Sequence, residues 1–312
     1  MTGWTADEMP RLDDATVVVT GANSGIGFEG TAAFARQGAT VVMACRSAER
    51  GERAASEIRE EVPDAGLAVR ECDLADLASV EAFAEGVREE FDAVDVLCNN
   101  AGVMAIPRRE TSDGFEMQLG VNHFGHFALT GHLWPALRAG AGEARVVTQS
   151  SGAHEAGTMN FEDLHRERSY GKWSAYGQSK LANLLFTYEL DRRLAAAGVD
   201  DVTAVACHPG YAATNLQYRG PREMGSRVRL AAMKVANAVF GQSAAKGALP
   251  MLFAATADRV TGGEYVGPDG FLDMRGHPEF QRSNDASYDR ETARRLWDVS
   301  ETETGVSFDL SA

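Results

Sequence analysis

From Thr16 onward, short runs of β-branched residues alternate with longer stretches in which apolar positions recur every three or four residues. The short runs predict strands at Thr16–Thr20, Thr40–Ala44, Leu67–Glu71, Val94–Cys98, Ala144–Thr148 and Val202–Cys207. A seventh is expected at Glu264–Val266, after the turn signal Gly262-Gly263. The longer stretches predict helices over 26–37, 49–61, 77–90, 114–138 and 174–196. This order is that of an α/β doubly wound parallel sheet with helices on both faces. The alternation lapses after Pro209-Gly210 until about Ala248, and no repeat or low-complexity linker marks a domain boundary.

Composition narrows the picture. With 312 residues, 44% hydrophobic and 24% charged, the chain can bury a large core as one α/β unit with at most a modest appended lobe. A net charge of −15 repels a phosphate backbone and argues against a nucleic-acid partner. The only lysines are Lys172, Lys180, Lys234 and Lys246, so arginine carries most of the positive charge. That bias fits a protein from a salt-rich cytosol, where screening tolerates an acidic surface, and equally an acidic protein from a GC-rich genome. Cys45, Cys72, Cys98 and Cys207 are too scattered for a CxxC pair and are expected as buried thiols in a reducing cytosol. The N-terminal MTGWTADEMPRLDD carries no basic region followed by an apolar stretch, and no 18-residue apolar run occurs, so a cytoplasmic protein is expected.

Candidate chemistry starts at the end of the first strand. Thr20-Gly21-Ala22-Asn23-Ser24-Gly25-Ile26-Gly27 is a glycine-rich turn opening a helix. Such a turn lets the backbone approach a pyrophosphate, whose charge the helix N-terminus attracts. At the end of the second strand, where an acid would accept from a ribose 2′-hydroxyl, stands Ala44-Cys45-Arg46 with no carboxylate before Glu49. Arg46 suits a 2′-phosphate, which favours NADP(H) and leaves NAD(H) open. Further on, Tyr176-Gly177-Gln178-Ser179-Lys180 lies in a helical stretch, where residues four apart share a face. A nearby cation favours phenolate, and bringing a tyrosine from about 10 to neutrality takes about 4 kcal/mol, which Lys180 and a charged nicotinamide could supply. Seven tyrosines and four lysines predict about 0.09 chance YxxxK matches, so the single match carries weight.

With TGxxxGxG and YxxxK in this order, the sequence resembles the short-chain dehydrogenase/reductase family over most of its length. The segments NSGIGFE, MACRS, NHFGHF, SKLANLLF and RRLWDVSE resemble its retinol-dehydrogenase-like branch. The resemblance implies a single Rossmann-type domain with a small C-terminal substrate-covering lobe. Its parts would be a cofactor-binding core over 16–210, a substrate-covering segment over about 211–247 and a C-terminal extension over 277–312. It also implies roles. Asn99-Asn100-Ala101-Gly102 would brace the sheet beneath the cofactor, with Asn100, Ala101 and Gly102 contacting it. Asp73, followed by Leu74, would meet the adenine, and Pro209, Gly210 and Thr214 the nicotinamide carboxamide. The catalytic set would be Asn122, Ser151, Tyr176 and Lys180, the Asn122 carbonyl holding a relay water; a one-residue change of register would bring in Ser150 instead.

The resulting expectation is an NADP(H)-dependent oxidoreductase interconverting an alcohol and a ketone or aldehyde of an apolar substrate. Tyr176 would serve as acid/base. The alternative is a catalytically silent NADP(H)-binding sensor on the same fold. No metal is expected, because His123, His126 and His132 lack a third ligand at a suitable spacing and read better as packed or hydrogen-bonded residues, as does His208. The family implies a homodimer or homotetramer. Two stretches stay unassigned. The loop near 154–172 makes the 25-residue gap from Ser151 to Tyr176 long. Between Gln217 and Lys246, Arg219, Arg222, Arg227, Arg229, Lys234 and Lys246 face only Glu223, a pattern for an amphipathic covering helix or for contact with a lipid-like or anionic substrate or a membrane surface.

Overall fold

A computed structural model describes residues 3–211 and 242–310. Its strands are β1 (Thr16–Thr20), β2 (Thr40–Cys45), β3 (Leu67–Glu71), β4 (Val96–Asn99), β5 (Ala144–Gln149), β6 (Val202–Cys207), β7 (Tyr265–Pro268) and β8 (Pro278–Gln281). They form one sheet in the order β3-β2-β1-β4-β5-β6-β7-β8, parallel up to β7. The seventh strand thus starts one residue later than expected, and β4 starts at Val96 because Asp95, at its mouth, spends its carboxylate on the Thr16 amide at 2.7 Å. β8, which the sequence pattern did not show, pairs antiparallel with β7 along a four-residue register. It is a short edge strand starting at a proline, too brief for an alternation to register.

The helices are α1 (Gly25–Arg36), α2 (Ala48–Glu61), α3 (Leu77–Glu90), α4 (Met117–Leu119), α5 (Gly125–Leu137), α6 (Lys172–Ala197), α7 (Ala244–Thr256) and α8 (Arg290–Thr304). Alternate strand residues go to opposite cores: Val17, Val19, Val41 and Met43 pack with Phe34 of α1, Ile58 of α2 and Phe253 of α7. Val18, Val42, Leu97 and Val146 pack with Phe83 of α3, Phe127 and Leu133 of α5 and Trp297 of α8. β1, β2, β4 and β6 are therefore buried on both faces and read as nearly unbroken apolar runs, unlike the edge strands β3 and β8.

The helix expected over 114–138 is interrupted. α4 leads into a π-helical turn, Gly120–Phe124, before α5 begins. π-turns of this kind gather at functional sites. Two helices went unrecognised. α7 is buried nearly all round and carries Pro250 inside it, so no amphipathic period marks it; α8 lies in a polar stretch from which Leu296 and Trp297 are sunk into the core.

Candidate active site

The strand order reverses between β1 and β4, and open α/β sheets bind ligands at such a switch point, beyond the carboxyl ends of the strands. A cavity of about 700 Å³ lies there, its walls coming from the ends of five strands: Gly21–Gly27 after β1, Arg46 after β2, Cys72–Leu74 after β3, Asn100–Val103 after β4, and Gln149 ending β5. Two glycines are sterically required. A Cβ on Gly27 would sit 2.3 Å from the Gly21 carbonyl oxygen, and Gly21 itself holds φ +69° with Ala101 packed against it. Ser24 at the N-cap of α1 makes no side-chain cap bond, so the first amides of the helix lack that competitor for an anion.

Thr20 anchors this wall. Its hydroxyl accepts from the Asn100 and Ala101 amides, both at 2.9 Å, and Asn100 Nδ2 returns a bond to the Thr20 carbonyl at 2.7 Å. Asn99 donates to Thr130 at 3.0 Å, tying the same turn to α5. Asp73 turns its carboxylate back on the Ala75 amide at 3.1 Å while lining the cavity beside Leu74. Arg46 is joined in the wall by Arg50 and Arg53, which the sequence reading passed over although a helical count of four and seven from Arg46 finds them on one side of α2. The three guanidinium groups are exposed on this rim, where Glu57 also lines the cavity and Glu49 lies 3.8 Å from Arg53.

At the other end of the cavity, Gln149 connects to α6. Its carbonyl accepts from Lys180 Nζ and Asn183 Nδ2, each at 2.9 Å, and its side chain donates to Asn100 Oδ1 at 3.1 Å. Lys180 is 4% exposed, and burial pushes its ammonium down to about 8. Nζ lies 5.9 Å from the Tyr176 ring centre, and a Cβ on Gly102 would come within 3.7 Å of it. Tyr176, also buried, is pushed up to about 12 by desolvation, against which the Ser151 hydroxyl works. In the structure the Lys180 ammonium faces the Gln149 carbonyl and burial dominates the phenol, while the expected pull toward neutrality draws on Lys180 together with a charged nicotinamide.

Register separates the two serines. Ser150 is buried and donates to the Lys180 carbonyl at 2.9 Å, whereas Ser151 caps the short helical turn Gly152–Ala156 beside Tyr176. That turn packs flush on α6, since a Cβ on Gly177 would be 2.9 Å from the Ala153 carbonyl. The 154–172 loop is fastened too: Tyr170 Oη donates to the Ile106 carbonyl at 2.9 Å and accepts from Gln118 at 2.8 Å, and Gln178 donates to the Leu164 carbonyl at 2.9 Å.

Asn122 sits in the π-turn, donating to Ser179 Oγ at 2.9 Å and to the Val103 carbonyl at 3.0 Å while Oδ1 accepts the Val103 amide at 2.8 Å. Ser179 in turn donates to the Tyr176 carbonyl at 2.8 Å, so Asn122 and the Tyr176–Lys180 turn are joined through one hydroxyl. His123 meets Ser300 Oγ of α8 at 2.8 Å, and burial pushes it down to about 3. His208 meets Gln281 at 2.8 Å and stacks on Tyr265. The four cysteines are buried and free. Pro209 and Gly210 lie past β6, where the Pro209 carbonyl accepts from Gln242 at 2.7 Å and Gly210 adopts φ +61°. Thr214 and the basic stretch before Gln242 lie outside the described residues.

The family model for short chain dehydrogenase matches residues 15–224. The chain belongs to the short-chain dehydrogenase family. This short-chain dehydrogenase is similar to retinol dehydrogenase 14 of Mus musculus, 41% identical over 306 residues covering 93% of this chain and 86% of the relative, and to retinol dehydrogenase 13 of Homo sapiens, 41% identical over 300 residues covering 95% and 86%. Among solved structures it resembles an uncharacterized protein from Mycobacterium paratuberculosis, 44% identical with a TM-score of 0.81 over 98% of this chain and 99% of that one. A short chain dehydrogenase from Shigella flexneri complexed with NADP shares the fold, at 22% identity and a TM-score of 0.63 over 83% and 98%.

Short-chain dehydrogenases are oxidoreductases that use NAD(P), and the residues present fit a dinucleotide. Gly27 admits no Cβ and Gly21 needs a positive φ, α1 opens at this turn, and arginines flank one end of the cavity. Among the described residues no helix is long and apolar enough to cross a membrane.

Proposed function

We propose that this short-chain dehydrogenase uses NADP(H) to interconvert an apolar alcohol and its aldehyde or ketone, with Tyr176 as the acid/base. The observation that carries the reading is the joining of two ends: the glycine-cradled cavity ends at Gln149, whose carbonyl holds the ammonium one turn from the Tyr176 phenol. When bound, NADP(H) supplies the hydride. Arg46, Arg50 and Arg53 would hold the 2′-phosphate end and Asn100–Gly102 the opposite side.

The protein's own part is proton and charge management. Ser151 Oγ, at the cap of its turn, would hydrogen-bond the carbonyl oxygen, and Tyr176 Oη would deliver its proton there. The high phenol pKa keeps Oη protonated at neutral pH, as reduction requires. Lys180 would stabilise the phenolate left behind, and Asn122, through Ser179, would keep the turn carrying both in place. Trp173, 59% exposed one turn before Tyr176 with its ring edge-on to the phenol at 6.2 Å, gives the substrate side an apolar wall. Relatives named for retinol, a long apolar alcohol, support that substrate class.

The test is NADPH oxidation over a panel of apolar aldehydes and ketones. Tyr176→Phe should lower kcat by about 10²–10⁴-fold with NADPH affinity unchanged. Tight dinucleotide binding with no carbonyl-dependent oxidation anywhere on the panel would refute the reading. Arg46→Asp should weaken NADPH more than NADH, and tighter wild-type binding of NADH would reverse the cofactor assignment.

A further inference from the structure

His126, the first residue after Gly125 in α5, is 1% exposed and makes two contacts to parts of the site that are far apart in sequence. Nδ1 lies 3.0 Å from the Asn122 carbonyl oxygen and Nε2 lies 2.9 Å from Thr20 Oγ1. Donor accounting fixes the proton. A carbonyl only accepts, so Nδ1 carries the hydrogen, and in a neutral ring Nε2 is then an acceptor. The Thr20 hydroxyl already accepts from two amides, Asn100 and Ala101, and has only its own proton left to give, to Nε2 or to the Cys98 carbonyl at 3.2 Å. An imidazolium would find no acceptor at Thr20. Burial agrees, pushing the ring down to about 4. The turn behind it is wedged, because a Cβ on Gly125 would be 2.5 Å from the carbonyl of the cavity residue Leu74.

We propose that His126 is a positioning residue for the reaction proposed above: one ring nitrogen holds the Asn122 carbonyl and the other the Thr20 hydroxyl, so that the π-turn and the glycine turn form one hydrogen-bonded unit. The relay side and the dinucleotide side of the site are thereby set relative to each other by a single side chain. It touches neither substrate nor cofactor and moves no proton.

Two conservative variants divide the bonds. Asparagine places an amide near the Nδ1 position and cannot reach Thr20; glutamine extends to the Nε2 position and loses the Asn122 carbonyl. His126→Asn should weaken NADPH on the order of five- to tenfold by fluorescence titration with kcat within about twofold, the size expected of one buried hydrogen bond. His126→Gln should show the reverse, with kcat down on the order of tenfold and Kd within about twofold. ¹⁵N NMR of the wild-type ring should show Nδ1 protonated and Nε2 bare at neutral pH. Kd and kcat both at wild-type values in both variants, or affinity and kcat falling together in both in step with Tm, would reduce His126 to a packing residue, and an Nε2–H tautomer would overturn the assignment outright. The titration and the NMR need no turnover, so a wild type that binds NADPH but reduces no carbonyl sinks the proposed function while these two arms still decide His126.

Discussion

Lys180 is a buried ammonium with no carboxylate beside it among the described residues, and its replacement by methionine should stabilise the protein while abolishing its chemistry. Burial lowers its pKa from 10.5 to about 8, a differential cost on the order of 3 kcal/mol to the charged form. The sign follows from linkage. Between about pH 8 and 10.5 the unfolded chain binds the proton that the folded one has lost, so stability rises with pH there; below about pH 8 the full penalty is present. Methionine keeps the methylene packing and removes the charge. The Gln149 carbonyl is not orphaned, because Asn183 still donates to it at 2.9 Å. Lys180→Met should therefore gain about 1–3 kcal/mol at pH 7, a rise in Tm of about 1.5–4.5 °C. The gain should shrink toward zero as pH approaches 10. Denaturant titrations of both proteins at pH 7, 8.5 and 9.5 measure this directly. A variant no more stable than wild type at pH 7, or a difference that does not change with pH, would show that the ammonium is not the strained group inferred here.

Gly27→Ala should weaken NADPH by more than about tenfold with a smaller effect on Tm, since its Cβ would strike the Gly21 carbonyl and open the cradle; an unchanged Kd by fluorescence titration would count against the turn as the dinucleotide site. In the cofactor-free protein the Tyr176 phenol should ionise only near pH 12, so the phenolate absorbance lost in Tyr176→Phe should be missing from the difference spectrum at pH 9; its presence there would contradict burial as the governing influence. Trp297→Ala should cost about 3–5 kcal/mol in denaturant unfolding, because the indole is 2% exposed against Phe127, Phe186 and Phe308, and a loss under about 1 kcal/mol would mean α8 is not part of the core.

The strands, the first helices and the glycine turn were legible because each depends on neighbours in sequence. Thr16–Thr20 reads as a strand from its own residues, and the glycine spacing states which positions cannot carry a Cβ. Tyr176 and Lys180 were legible for the same reason, since a helical turn sets their common face. α8 and β8 were not: one is a polar helix with two core anchors and the other a four-residue edge, and only the packing partners give them a place.

Local periodicity and steric demand therefore determined the doubly wound sheet, the crowded turn after β1 and the phenol–ammonium pair. Tertiary structure alone decided which serine faces the phenol, that Lys180 meets a carbonyl rather than a carboxylate, and that the helix around Asn122 breaks into a π-turn. Those outcomes depend on which chemical group a fold brings from tens of residues away, and on how much water that approach removes. Neither quantity is written in the spacing of residues along the chain; both follow once β1, β4 and β5 lie side by side with α5 and α6 packed on one face of the sheet.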